Sequence, residues 1–427
     1  MDIMCIFTKI YNDSILKNSI YLMTTNFVNL VLGFFFWIIA SRYYTPNDIG
    51  IVSVIFSSMS LISMISSIGL PTAILFFLPR DQKNANKIIN SCIIVSIVIP
   101  IIFSTIFILG LNIWEPLLTP IFHRIGLIAI FMIATIITTV SAIMSGIFTA
   151  ERRSSFHMMK ESIFGIVKIF PLILLAGFGA MGIFISWSIG LVMASIIGFI
   201  LLYKTSKYVP RITFYPIIKN MVRYSTGNYI ASILNSLPRL LLPIMIVSLI
   251  STEAAGYFFI ALTIASLLYG IPQSIGNCFL AESSKGDLWT KVGKVVKFNL
   301  LFLIPGILLF VIFGKFVLSI FNPDYVSMEK TLIILTLSSI PSAVIIIFNS
   351  VRNAQRRLWS IIRINAIVAI MTIILSIPLM IVLKIEGAAL AYFISDIIGA
   401  MIIIAEMKHP KEFTLKLLKG DDDVVTI

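Results

Sequence analysis

The chain has 427 residues, of which 59% are hydrophobic and only 12% charged. Soluble domains hold about 45–50% apolar residues, and a chain this apolar cannot cover itself with polar groups, which excludes a soluble enzyme and makes lipid its solvent. The net charge of +13 does not indicate nucleic acid, because the cations sit in short clusters between long apolar runs, as cytoplasmic loops of membrane proteins do.

A helix needs about 20 apolar residues to cross the hydrocarbon. In chain order the qualifying runs are Ile20–Ala40, Ile51–Leu78, Ile88–Leu111 and Ile125–Ala150, then Met181–Tyr203, Tyr229–Ile250 and Gly256–Ala281. Phe298–Phe321, Leu332–Val351, Ile364–Leu383 and Gly387–Ala405 complete eleven. A twelfth, Ile163–Gly177, is shorter and carries Lys168; it is required to keep the charge alternation of the loops.

Of the 32 Lys and Arg, 26 fall at the N-terminus, in every second loop and in the tail, against five in the opposite loops. That asymmetry predicts a multi-pass protein with both termini in the cytoplasm. The tail, 407–427, contains Asp421-Asp422-Asp423 and reads as disordered. The longest connection places Pro216 before Ile217, Ile218, Met221 and Val222, with Lys219 and Arg223 four apart, and predicts an interfacial amphipathic helix. Cys5, Cys92 and Cys278 read as inert apolar fillers. His123, His157 and His409 share no spacing, so neither metal nor cofactor is expected. Arg42 and Asp48, flanking the first outer loop, read as a surface ion pair.

Four short strings recur in order. Gly69-Leu70-Pro71 returns as Gly270-Ile271-Pro272, Ala150-Glu151-Arg152-Arg153 as Ala354-Gln355-Arg356-Arg357, Phe184-Ile185-Ser186 as Phe393-Ile394-Ser395, and Thr45 with Gly50 as Ser251 with Gly256. A repeat of six helices, an even number, enters the membrane from one side in both copies and predicts a parallel repeat about the membrane normal. The expected fold is therefore all-α: about twelve transmembrane helices in two six-helix lobes around a central cleft. The expected divisions are an N-lobe at 1–208, a cytoplasmic interfacial linker at 209–228, a C-lobe at 229–406 and the tail.

The string Ala254-Ala255-Gly256-Tyr257-Phe258-Phe259-Ile260-Ala261, with Gly270-Ile271-Pro272 and Phe279-Leu280-Ala281-Glu282, resembles the polysaccharide-biosynthesis flippases. Those belong to the multidrug/oligosaccharidyl-lipid/polysaccharide exporter superfamily. Arg42-Tyr43-Tyr44 followed by Pro46-Asn47-Asp48-Ile49-Gly50 resembles them too. The resemblance implies a transporter, not an enzyme, that moves a polyprenyl-diphosphate-linked oligosaccharide from the cytoplasmic to the outer leaflet of the cell membrane by alternating access. Its partners would be that substrate, membrane lipids and other polysaccharide-assembly proteins. Drug antiporters of the superfamily often carry an acid in the first helix; none lies between Ile20 and Ala40. A membrane glycan polymerase or glycosyltransferase needs converging acids or histidines on a sizeable loop, and the sequence has no such loop.

Ser225, Asn228, Ser232, Asn235 and Arg239 are spaced three or four apart and fall on one helix face. An intramembrane charge is costly and marks function by default. A guanidinium suits a phosphate, so Arg239, with Asn235, Ser232 and Asn228, is the candidate site for the carrier diphosphate; pairing of Arg239 with Asp396 is the alternative. In the first helix Asn26 and Asn29 occupy the positions equivalent to Ser232 and Asn235, and offer a neutral sugar-facing wall. Ser53, Ser57, Ser60 and Ser67 suit either sugar hydroxyls or helix packing. Asp396 is the candidate ion-coupling group or charge partner. Lys168 is expected to snorkel to the cytoplasmic surface and to draw in an anionic head group.

Overall fold

The computed structural model describes residues 14–114, 125–206, 208–282 and 288–408. Among these the regular structure is entirely helical. Ten segments are long and apolar enough to cross a membrane, and the last of them, Leu358–Glu406, is broken at Lys384, so it holds two helices.

The helices are α1 Ser14–Tyr43, α2 Pro46–Ser66, α3 Ala85–Leu109, α4 Ile125–Ala150, α5 Ser154–Val167 and α6 Ala180–Ser206. They continue as α7 Ile217–Leu249, α8 Thr252–Glu282, α9 Leu288–Phe321 and α10 Glu329–Ala354. The two halves of the broken segment, 358–383 and 385–408, are α11 and α12. The short twelfth span is α5 with its one-turn continuation Ile169–Leu174. Cys5, His123, Arg124, His409 and the tail from 409 lie outside the described residues.

The chain forms two compact units, residues 1–264 with 315–329, and 265–314 with 330–427. In the first, α2 is the core: 72% of its apolar window is buried, against 17% for α1. Ser53 and Ser57 are buried and the Ser53 hydroxyl donates to Gly50 O at 2.7 Å. The helix 2 serines therefore serve close packing, with Ser63 accepting from Thr139 at 3.0 Å.

Several expectations change. The second span is not one helix: Ile68 and Gly69 take positive φ, and a new segment, Leu70–Phe77, starts there. A side chain at Gly69 would meet Ser225 and Tyr229 of α7, so glycine is required by conformation and by contact. The interfacial helix does not exist separately, because the helix that begins after Pro216 runs unbroken through Tyr229 to Leu249. Its apolar residues Ile218 and Met221 pack into the unit's core, which removes the amphipathic face that would lie on the membrane.

Arg42 and Asp48 do not pair. The Arg42 guanidinium donates to Ile320 O at 2.8 and 3.0 Å. Asp48 closes a capping box with Thr45 at the start of α2, and its other oxygen accepts from Ala180 N at 2.9 Å, capping α6 as well. One carboxylate thus fixes the first turns of two helices.

The stretch before α7 is tied to α3 by two polar side chains. Asn90 Oδ1 accepts from Tyr208 Oη at 2.7 Å and Arg211 N at 3.1 Å, while Nδ2 donates to Val209 O at 3.0 Å. Ser91 Oγ accepts from Tyr215 N at 2.7 Å. Burial of Tyr208 pushes its phenol pKa up and keeps it a neutral donor. Asn90→Ala removes three hydrogen bonds, one of them to the buried Tyr208, and is expected to lower stability by about 1–3 kcal/mol, with earlier proteolytic nicking between residues 208 and 216 as the readout.

The internal repeat is visible in backbone detail. After α4, Arg152 takes φ 57°, and Arg153 N donates to Phe148 O at 2.8 Å. After α10, Arg356 takes φ 59° and Arg357 N donates to Arg352 O at 2.9 Å. These are the same left-handed helix ending. Gly179 before α6 and Lys384 before α12 match likewise, at φ 57° and 51°, a correspondence with no shared residue type.

The starts of α2 and α8 touch within the first unit, and reciprocally. A Cβ on Gly50 would strike Thr252 O, and a Cβ on Gly256 would strike Pro46 O. Asn47 and Thr252 share a short hydrogen bond at the same contact. Each glycine meets the repeat-equivalent of the residue that the other meets, which is the signature of a local two-fold relation.

Candidate functional site

The first unit holds two polar regions. One is the α7 stripe. Ser225 leaves it: it is fully buried, and its hydroxyl donates to Met221 O at 3.0 Å inside its own helix. Tyr229 Oη donates to Ile65 O at 2.6 Å, so these turns of α7 are clamped to α2. Asn228 beside them is half-buried, and further along the helix Ser232, Asn235 and Arg239 are exposed. Pro238 and Pro243 interrupt the hydrogen-bond ladder beside Arg239. Within its unit Arg239 has no carboxylate partner among the described residues.

The second region lies between α1, α4, α5 and α6. Lys160 is 1% exposed, yet its Nζ donates to Ser141 Oγ at 2.6 Å, Ser145 Oγ at 2.8 Å and Ser141 O at 3.0 Å, and pairs with Glu161 Oε1 at 2.9 Å. Glu161 Oε2 accepts from Asn29 Nδ2 at 3.4 Å, and His157 Nδ1 lies 3.9 Å from Oε1. Asn29 is therefore engaged with Glu161, whereas Asn26, one turn earlier, is exposed. No hydrogen bond among the described residues joins these asparagines to the α7 stripe.

Lys168 does not snorkel. It is 3% exposed, with Nζ 4.2 Å from the ring centre of Trp187, 4.4 Å from Phe164 and 4.9 Å from Phe36. Three aromatic faces replace part of the water shell of the ammonium. Gly190 makes the cage: a Cβ there would stand 2.9 Å from Lys168 Cβ and 3.1 Å from Phe164 O. The helix ends at Lys168 and restarts at Ile169, so the side chain is aimed inward from a break and not outward along a regular face.

Asp396, 4% exposed on α12, accepts hydrogen bonds from Ser338 at 2.9 Å and from Ser342, both on α10. Its carboxylate is thus engaged inside the second unit.

Sequence reasoning passed over Lys160 and Glu161 by assigning 152–162 to a loop. The signal was present: His157, Glu161, Phe164 and Lys168 are spaced four, three and four apart, the same period as the α7 stripe. Two cations counted as loop charges are consequently buried in the helix bundle.

Together the α7 stripe and the region around Lys160 hold three cations, Lys160, Lys168 and Arg239, against one acid, Glu161. Such a charge balance suits an anion.

Comparison with known proteins agrees with the fold. The structure superposes on the lipid II flippase MurJ in an inward closed conformation with a TM-score of 0.75 and 18% identity, covering 91% of this chain and 87% of that one. It matches an inward-facing multidrug-resistance MATE-family transporter of the MOP superfamily with a TM-score of 0.71 and 14% identity, over 94% and 96% of the two chains. A MOP-superfamily transporter from Pyrococcus furiosus, described by the reverse polarity of its binding pocket, matches with a TM-score of 0.65 and 13% identity, over 91% and 93%. A search of curated proteins returns no match. A family model described as polysaccharide biosynthesis protein matches residues 15–280. With well over half of its length matched by that model and its fold shared with MOP-superfamily transporters, this chain belongs to the polysaccharide biosynthesis protein family.

Proposed function

We propose that the protein is a flippase for lipid-diphosphate-linked oligosaccharide, carrying repeat units of a surface polysaccharide from the cytoplasmic to the outer leaflet of the cell membrane by alternating access. The observation that carries this reading is the cationic excess in the two polar regions of the first unit, Lys160, Lys168 and Arg239 against Glu161. A diphosphate must leave water to cross, and fixed cations in a low-dielectric wall offset its desolvation. Arg239 is the direct ligand, since it is exposed on its turn of α7. Ser232, Asn235 and Asn26 offer hydroxyl and amide groups to sugar. Asn29 acts through Glu161, and Lys168 contributes its field from inside the wall.

The competing reading, a drug or cation antiporter, needs an acid free to bind a cation. Glu161 is already held by Lys160 and Asn29. Both termini are assigned to the cytoplasm by the loop charges.

The test is purified protein in vesicles containing a defined lipid-linked oligosaccharide, with outward movement read by a membrane-impermeant lectin. Movement of the glycolipid and not of cationic dyes is expected; the reverse would overturn the proposal. Asp396→Asn keeps an oxygen for Ser338 and Ser342, so it is expected to retain more than about half of wild-type transport. Collapse of transport with normal abundance would assign Asp396 a coupling role.

A further inference from the structure

The second unit contains a cavity of about 160 Å³ between α9, α10 and α12. Its walls are aliphatic, with Val296, Leu300 and Leu303 facing Ile340, Val344 and Ile347. Leu300 and Ile340 are also exposed at 42% and 40%, so the cavity opens onto the apolar outer surface. A hydrocarbon chain can enter it sideways from the bilayer.

The same cavity ends at a charge, because Arg352 lines it. Arg352 lies within electrostatic reach of Arg357, Arg363 and Glu406. Glu406 is paired with Arg363, which leaves Arg352 and Arg357 without a carboxylate within ion-pair distance among the described residues. Arg352 itself donates only to the neutral Gln355 Oε1, at 3.1 Å. Trp359, 64% exposed at the start of α11, is a residue type enriched at the membrane–water boundary. Asn299 adds a second polar group: it is 2% exposed, and its Oδ1 has no partner among the described residues.

We infer that this cavity binds one anionic phospholipid of the bilayer. An acyl chain lies between α9 and α10, and the phosphate sits against Arg352 and Arg357. A guanidinium at the end of a dry groove selects an anionic head group over a zwitterionic one. Bulk phospholipid outnumbers any carrier lipid, so mass action fills the groove with it. The inference concerns binding alone and does not depend on what the protein transports.

The test is native mass spectrometry of the full-length protein in detergent, titrated with phosphatidylglycerol or with phosphatidylcholine of the same chains. One tightly retained phosphatidylglycerol is expected, held about tenfold more tightly than phosphatidylcholine, as one charge-assisted contact implies. Arg352→Gln should remove that preference, and Ala343→Phe, which fills the groove, should lower retention of both lipids. Gel filtration of each variant distinguishes lost binding from lost folding, and if Ala343→Phe does not fold, Arg352→Gln alone decides. Equal retention of the two lipids, or no change in Arg352→Gln, would overturn the inference. So would displacement of phosphatidylglycerol by equimolar undecaprenyl phosphate, since the groove would then belong to the carrier.

Discussion

Arg239→Ala is expected to abolish movement of lipid-linked oligosaccharide while leaving the protein's abundance and membrane insertion unchanged. Fold and function separate here because Arg239 is exposed on a later turn of α7, whereas the structural contacts of Ser225 and Tyr229 are made by earlier turns of the same helix. Losing one charge-assisted, bidentate phosphate contact in a desolvated site costs about 2–5 kcal/mol, enough to reduce transport by more than tenfold. Arg239→Lys should restore part of the rate, because it keeps the charge and loses the planar fork. Arg239→Gln should not, because it keeps hydrogen bonding and loses the charge. Each variant is measured in the same vesicle assay, at matched protein density. Wild-type transport in Arg239→Gln would show that the residue does not hold a phosphate.

The second large effect concerns folding. Glu161→Leu leaves Lys160, 1% exposed, with only the polar groups of Ser141 and Ser145. Breaking a buried pair from one side costs about 3–5 kcal/mol, so the variant should lose most of its folded fraction in the membrane. Lys160→Met alone should be costly too, since Glu161 keeps only Asn29 and the weak imidazole contact of His157. The double variant Lys160→Met/Glu161→Leu should recover most of the stability, because matched apolar groups replace both charges. Thermal unfolding of the four proteins in one detergent closes the cycle. Simple additivity of the two single changes would mean that the pair is not coupled.

The legibility of this chain in its sequence follows the physics of the bilayer. Hydrocarbon enforces long apolar runs, so the spans were readable and even the short α5 could be inferred from charge alternation. The repeat was readable because its helix endings need particular residues. Gly179 and Lys384 escaped notice because a lysine can be forced into the left-handed region where tertiary contacts hold it. The polar residues were harder. Arg239 stood out because it interrupts an otherwise apolar helix. Lys160 and Glu161 did not, because their helix is brief and polar enough at its start to read as a loop. The cage of Lys168 draws Phe36 and Trp187 from helices distant in sequence, and no local pattern encodes such a meeting. Ser225 looked like part of a polar stripe by spacing alone, and only the packing of Gly69 against it revealed that its face was taken.

The reciprocal contact of Gly50 and Gly256 has a consequence for how this chain can change. A side chain at either position pushes the same two helix starts apart, at Gly50 against Thr252 O and at Gly256 against Pro46 O. The two positions therefore behave as one site counted twice. Once either glycine is lost and the helices have separated, the second loss costs little further, and restoring one alone recovers little. A change in either half of the repeat is thus felt by the other at this one contact.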